Sequence, residues 1–258
     1  MNLSTMSFEI VDNVGIVTMD FPPVNALGIP FLEDFEEVLR RLREIRDARA
    51  VLIASARPGF FSAGDDIASL KEIDDELIAA LPRAHALLDE LETLPLPTVA
   101  AINGHALGGG LELSLVCDFR FMGKDSGRIG LPEVRLGMIR SLGGTQRLPL
   151  LLGKARAIEM MFKGLQLTPE EAERIGLVNA VFPKEELYAK SLDYAVRLAR
   201  QATRAISHIK RCVNTGIREG FNRGLSAEQQ AFRENIESPD AREGVMAFLE
   251  RRKPVFRG

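Results

Sequence analysis

The stretch TVAAINGHALGGGLELSLVCDFRFM, residues 98 to 122, decides the architecture. TVAAI (98 to 102) is a short apolar run with β-branched residues and reads as a buried strand. Gly108, Gly109 and Gly110 open a helix. The first backbone N–H groups of such a helix have no partner within it and point at whatever lies in front. Apolar residues then resume as a strand near 118 to 122. Upstream, Phe8, Ile10, Val14, Ile16 and Val17 suggest a hairpin around Asp12 and Asn13 that ends near Met19. Phe31, Phe35, Val38, Leu39, Leu42 and Ile45 follow a helical period, and AVLIAS (50 to 55) reads as a second buried strand. Another amphipathic helix carries Leu77, Leu81, Leu87, Leu88 and Leu91 and stops before Pro95 and Pro97. The order is therefore that of an α/β chain. From about residue 150 helix signals dominate: Thr168, Pro169 and Glu171 form a capping box, and Ser238-Pro239 starts a last helix. No strict repeat is visible.

With 258 residues, 46% of them hydrophobic and 27% charged, the chain suits one core domain with an appended helical segment. A net charge of −3 and a pI near 5.8 argue against nucleic acid as the main partner. MNLSTMSFEI has neither a basic n-region nor an apolar h-region, and no run reaches the roughly 18 apolar residues of a membrane span, so a cytoplasmic protein is expected. Cys117 and Cys212 form no CxxC pair, which disfavours a disulfide framework or a zinc site, and both read as buried hydrophobes. His85, His105 and His208 have no clustered partner, so no metal is expected; His105, in the turn before the triple glycine, reads as structural more than catalytic. Neither a P-loop nor a serine elbow is present.

Two acids stand out. Glu112 follows the triple glycine in HALGGGLEL, and Glu133 follows Pro132 in GLPEVRLG. Each alone is an ordinary surface glutamate. Together they read as an acid/base pair, and backbone donors facing them suit chemistry beside a carbonyl. In FFSAGDDI (60 to 67), Gly64 permits an unusual backbone. Either Gly64 and Gly109 belong to unrelated turns, or the N–H groups of Asp65 and Gly109 point the same way and form an oxyanion hole.

The segments FSAGDDI, AAINGHALGGGLELSLVCD, IGLPEVRLGMI, GGTQRLPLLLG and LTPEEAERIGLVNAVFP, in this order and spacing, resemble the enoyl-CoA hydratase/isomerase (crotonase) superfamily from PPVNAL to FLERRKPVFRG. The resemblance implies a spiral of β-β-α units with two nearly perpendicular sheets. It implies a core over 1–195, a helical trimerisation region over 196–258, and assembly as a homotrimer or homohexamer. The ligand it implies is an acyl-CoA thioester, with coenzyme A part of the substrate and no separate cofactor. Asp65 and Gly109 would supply the oxyanion-hole N–H groups. Val24, Ala26, Leu27, Ala63, Gly64, Asp66, Ile67, Ala68 and Gly108 would line the thioester pocket. Members that hydrate enoyl-CoA carry two glutamates where this chain has Glu112 and Glu133, which places hydration ahead of isomerisation, other crotonase-type reactions and a non-catalytic thioester-binding scaffold.

One departure from the pattern bears on the substrate. After Glu133 the family often reads GIIPGAGGTQRL, and this chain reads GMIRSLGGTQRL. Arg140 either turns to solvent or pairs with an acid, or it recognises a polar or carboxylated acyl group through its forked donors. Ser141 in place of glycine predicts an ordinary φ there.

Overall fold

Asp12 and Asn13, at φ 49° and 64°, make the tight turn that pairs β1 (Met6–Val11) with β2 (Val14–Met19). Both residue types tolerate the left-handed region that a two-residue hairpin demands. The chain is known from a computed structural model in which residues 3–64 and 75–258 are described, the side chains of 75–77 excepted.

After the hairpin and α1 (Ile29–Glu44), the path repeats a β-β-α step. β3 (Ala50–Ser55) and β4 (Gly59–Ser62) precede α2 (Asp75–Thr93). β5 (Thr98–Ile102) and β6 (Gly104–Leu107) precede α3 (Gly109–Leu115), while β7 (Phe119–Gly123) and β8 (Ile129–Gly130) precede a 3-10 turn, Glu133–Leu136. The first strand of each pair enters a six-stranded sheet of order β1-β2-β3-β5-β7-β10, where β10 is Ala180–Phe182. The second enters a four-stranded sheet of order β4-β6-β8-β9, where β9 is Gln166–Leu167. Each turn of the spiral thus adds one strand to both sheets. The helices α4 (Gly144–Leu152), α5 (Lys154–Lys163), α6 (Pro169–Arg174), α7 (Leu187–Ala199), α8 (Thr203–Glu219), α9 (Phe221–Ile236) and α10 (Pro239–Leu249) complete the chain. Among the described residues no helix is long and apolar enough to cross a membrane.

Alternation along the parallel strands gives the large sheet a core on each face. Val51, Ile53, Ala100 and Ile102 face the core that α1 and α2 cover with Phe35, Leu39, Leu88 and Leu91. Ala50, Leu52, Val99 and Ala101 face α7, which contributes Leu187, Ala195 and Val196.

The strands expected at 50 to 55 and 98 to 102 form over those residues, and the capping box at Thr168 is complete. Three readings are corrected. Gly104 and His105 are not a turn but the start of β6; a Cβ at 104 would stand 2.0 Å from the carbonyl carbon of Gly59, so the glycine permits close strand approach. β9 and β10, two and three residues long, interrupt the helical second half and are too short to show a period. Cys117 is buried and its thiol is pushed up to about 12 by burial, but Cys212 is only half-buried on α8.

Arg120, buried on β7, was not foreseen as a structural cation. Its guanidinium donates to the carbonyls of Leu177 (2.9 Å), Ser114 (3.2 Å) and Cys117 (2.6 Å). Burial pushes its pKa below the ordinary value. The cation sits at the C-terminal end of α3, where the exposed carbonyls favour positive charge. Replacing it strands buried acceptors, each worth about 1–3 kcal/mol. Arg120→Ala is therefore expected to lower unfolding stability by roughly 3 kcal/mol in a urea titration, with Arg120→Lys losing less.

Candidate active site

Glu112 lies in the first turn of α3 with none of its surface exposed. Its Oε1 accepts N–H bonds from Leu142 (3.0 Å) and Gly144 (2.6 Å). Gly144 is the first residue of α4, so the carboxylate meets the positive end of that helix. Both donors favour the ionised form. There is no room for more than hydrogen at 144, where a Cβ would stand 2.9 Å from Oε1.

Glu133, 8% exposed, starts the 3-10 turn after Pro132. What carries it toward Glu112 is sheet pairing. β6 runs parallel to β8, and the Gly108 N–H donates to the Gly130 carbonyl at 2.9 Å. One strand ends in the glycines before Glu112 and the other leads into Leu131, Pro132 and Glu133.

The Arg140 guanidinium lies between the two acids. Its Nη1 is 2.7 Å from Glu133 Oε1 and 3.7 Å from Glu112 Oε2, and the side chain is only 6% exposed. Of the two readings of this residue, pairing with an acid is the one observed here, and the acids are the expected catalytic pair. Gly108, at φ 57°, provides the space: a Cβ there would stand 2.3 Å from Nη1 and 2.6 Å from Glu133 Oε1. The main chain just after Arg140 is tied by its carbonyls. The Ser141 carbonyl meets His85 Nε2, the Leu142 carbonyl accepts from Arg147 (3.1 Å), and Ser141 keeps an ordinary φ.

Beside the pair opens a cavity of about 210 Å³, lined by Leu131, Met138, Ile139, Thr145, Met161 and Phe162 together with Glu133, Val134 and Arg140. Its outer wall is apolar and exposed, with Ile139 at 78% and Phe162 at 73%. A larger cleft of about 430 Å³ between α2, α4 and α8 includes neither glutamate. Arg147 and Arg218 there are paired with Asp89 and Glu92.

The expected pocket segments meet at the other side of α3. Ala63 N–H donates to the Val24 carbonyl (3.0 Å), Leu27 N–H to the Gly64 carbonyl (2.9 Å), and Ala26 bridges Gly64. Gly64, at φ 88°, is so close to α3 that a Cβ would stand 2.8 Å from the Gly109 nitrogen. Asp65, Asp66, Ile67 and Ala68 lie outside the described residues. Asn25, which sequence reasoning passed over in PPVNAL, fastens this edge: buried at φ 53°, it accepts from Phe21 N–H (2.7 Å) and donates to Ser55 Oγ (2.8 Å) and the Phe61 carbonyl (2.9 Å). Leu142 and Gly144 were missed as donors to Glu112, although GGTQRL was conspicuous. His105 is occupied structurally, its Nδ1 accepting from Arg128 N–H (3.1 Å) and its ring lying 5.3 Å from that of Phe60.

Glu112→Leu would leave the Leu142 and Gly144 N–H groups without their acceptor, whereas Glu112→Gln keeps an oxygen for them. The leucine variant is expected to lose about 2 kcal/mol or more in chemical denaturation, and the glutamine variant about 1 kcal/mol or less.

A profile of the enoyl-CoA hydratase/isomerase family matches residues 9–258. The mouse mitochondrial enoyl-CoA hydratase domain-containing protein 2 is 39% identical over 239 residues, covering 91% of this chain and 80% of that protein. A crystal structure of an enoyl-CoA hydratase from Geobacillus kaustophilus superposes with TM-score 0.96 at 37% identity, covering 100% of this chain and 98% of that one. One of an enoyl-CoA hydratase from Bacillus anthracis gives TM-score 0.93 at 34% identity, covering 99% and 100%.

Proposed function

The chain belongs to the enoyl-CoA hydratase/isomerase family, a crotonase-type acyl-CoA enzyme, and on that premise we propose that it adds water reversibly across the 2,3 double bond of an enoyl-CoA thioester. One observation carries this reading: oxygens of Glu112 and Glu133 both lie within reach of a single nitrogen, Arg140 Nη1. Two carboxylates this close to one common point support a reading in which both act on a single water.

In the proposed reaction, Glu112 is the base. Its Oε1 stays bound to Leu142 and Gly144, and its Oε2 takes a proton from water as the hydroxyl oxygen bonds to C3. Glu133 in its acid form gives a proton to C2. The thioester oxygen carries the negative charge between these events, held by the Gly109 N–H at the start of α3 and by the expected Asp65 N–H. A proton then passes from Glu112 to Glu133 to restore the starting state. The pair must hold one proton between them, and neighbouring carboxylates in a dry site favour that arrangement.

The Arg140 contact favours a second reading. A guanidinium on Glu133 favours its ionised form, and two ionised acids with no proton to give suit a base that carries one proton between C4 and C2, which is double-bond isomerisation. Absorbance separates the two. Hydration removes the conjugated enoyl-thioester band from a 2-enoyl-CoA, while isomerisation creates it from a 3-enoyl-CoA. The hydratase is expected to lose roughly 10²–10⁴-fold in kcat in Glu112→Gln and in Glu133→Gln. Unchanged kcat in either variant would exclude the two-glutamate mechanism, and thioester binding without turnover would leave a scaffold.

The helical region 196–258 is read as the association surface of a homotrimer or homohexamer. Ile209, Val213 and Ile217 form an exposed stripe along α8, continued by Phe221 and Phe232 on α9. Light scattering at micromolar concentration is expected to give three or six times the chain mass; a monomer would contradict this.

A further inference from the structure

The order of the site along α3 leaves one direction for the acyl tail. The Gly109 N–H that would hold the thioester oxygen lies against Gly64, where a Cβ would stand 2.8 Å from the Gly109 nitrogen. Glu112 follows within the same turn of α3. Glu133, beyond it, lines the cavity of about 210 Å³, which includes neither Gly64 nor Gly109. A chain that starts at Gly64 and reacts between the two acids therefore continues into this cavity. α5 supplies Met161 and Phe162 to its wall, while the turn that Glu133 opens supplies Val134 and, just after it, Met138 and Ile139. These two walls are clamped together at one end. Gly164 caps α5 at φ 57°, and a Cβ there would stand 3.0 Å from the Arg135 side chain and 3.2 Å from that of Val134. Leu131, 1% exposed, joins the cavity to the core.

We infer that this cavity sets the substrate as a straight hydrocarbon acyl group of medium length, and that Met161 on α5 limits that length. Away from Glu133 and Arg140, the wall among the described residues is carbon and sulfur, with the Thr145 side chain as its polar exception. Each methylene that leaves water for such a wall gains about fourfold in affinity. A dry cavity of about 150 Å³ takes the six carbons of benzene, so 210 Å³ takes about eight, which with C1 to C3 at the reacting place makes an acyl group of about eleven carbons. A four-carbon acyl group leaves the cavity almost empty and forgoes those contacts. Met138 and Met161 are unbranched and polarizable, so they close around chains of intermediate length without a rigid void. The direction of the tail rests on the hydratase reading, whereas the binding of a saturated tail does not depend on the reaction.

Two readouts test the inference on wild type, Met161→Ala and Met161→Trp. The first is calorimetric binding of saturated acyl-CoAs from butanoyl to tetradecanoyl, below their micellar concentrations. The second is kcat/KM for the matching 2-enoyl-CoAs. Wild type is expected to gain roughly two- to fourfold in affinity per methylene and to stop gaining at about eleven carbons. Met161→Trp fills the cavity and should end the gain at shorter chains, while Met161→Ala, which suits a helix, should carry it to longer ones. If the tryptophan variant does not fold, the alanine shift decides. A flat series from butanoyl to decanoyl, or one end point in all the folded proteins, overturns the inference. Butenoyl-CoA hydrated as well as decenoyl-CoA overturns it while leaving the proposed reaction standing. A binding series that ends where expected and moves with residue 161, without hydration, supports the acyl site and removes the reaction. A methionine that served packing alone would change the affinity for every chain equally and leave the end point in place.

Discussion

The buried charge of Glu112 is the constraint around which the rest of the site is arranged. A carboxylate with no solvent contact is sustained only by donors and cations placed before any ligand arrives. Those around it come from sequence-distant pieces: the N–H groups of Leu142 and Gly144, the start of α4, and the guanidinium of Arg140. Each in turn needs a neighbour. α4 follows a loop that His85 and Arg147 hold by its carbonyls, and α3 is held at its far end by buried Arg120. The supports of one carboxylate thus reach from α2 to β7.

Among the described residues, the carboxylates of Glu112 and Glu133 and the guanidinium of Arg140 share this small volume, with Nη1 3.7 Å from one acid and 2.7 Å from the other. Groups this close titrate as a set, so the proton that either acid holds is a property of the whole cluster.

What the sequence made legible follows from range. Strands such as 50 to 55 and 98 to 102 are coded by apolar runs bounded by proline or glycine, and the Thr168 capping box by residues three apart. Both glutamates stood out because each sits beside a turn residue in a motif, and the structure brings them together. Arg140 was visible as a departure in composition, but its side-chain direction depends on Gly108, which lies on another strand's end. Gly104 misled because glycine signals both a turn and a close approach, and only the position of Gly59 separates the two. β9 and β10 escaped because two or three residues carry no period; their pairing partners alone define them.

The spiral has a consequence for the order in which the molecule comes into being. β3 pairs with β2, β5 with β3, and β7 with β5, so each strand of the large sheet docks on the one laid down a turn earlier. Such a path lets structure grow from the N-terminus as the ribosome delivers it, each finished turn templating the next. Chemistry comes late in that sequence. A nascent chain that has completed β6 already owns most of its first core yet has neither Glu133 nor the amides that hold Glu112, so no half-made chain can act on a thioester before its outer turns have closed.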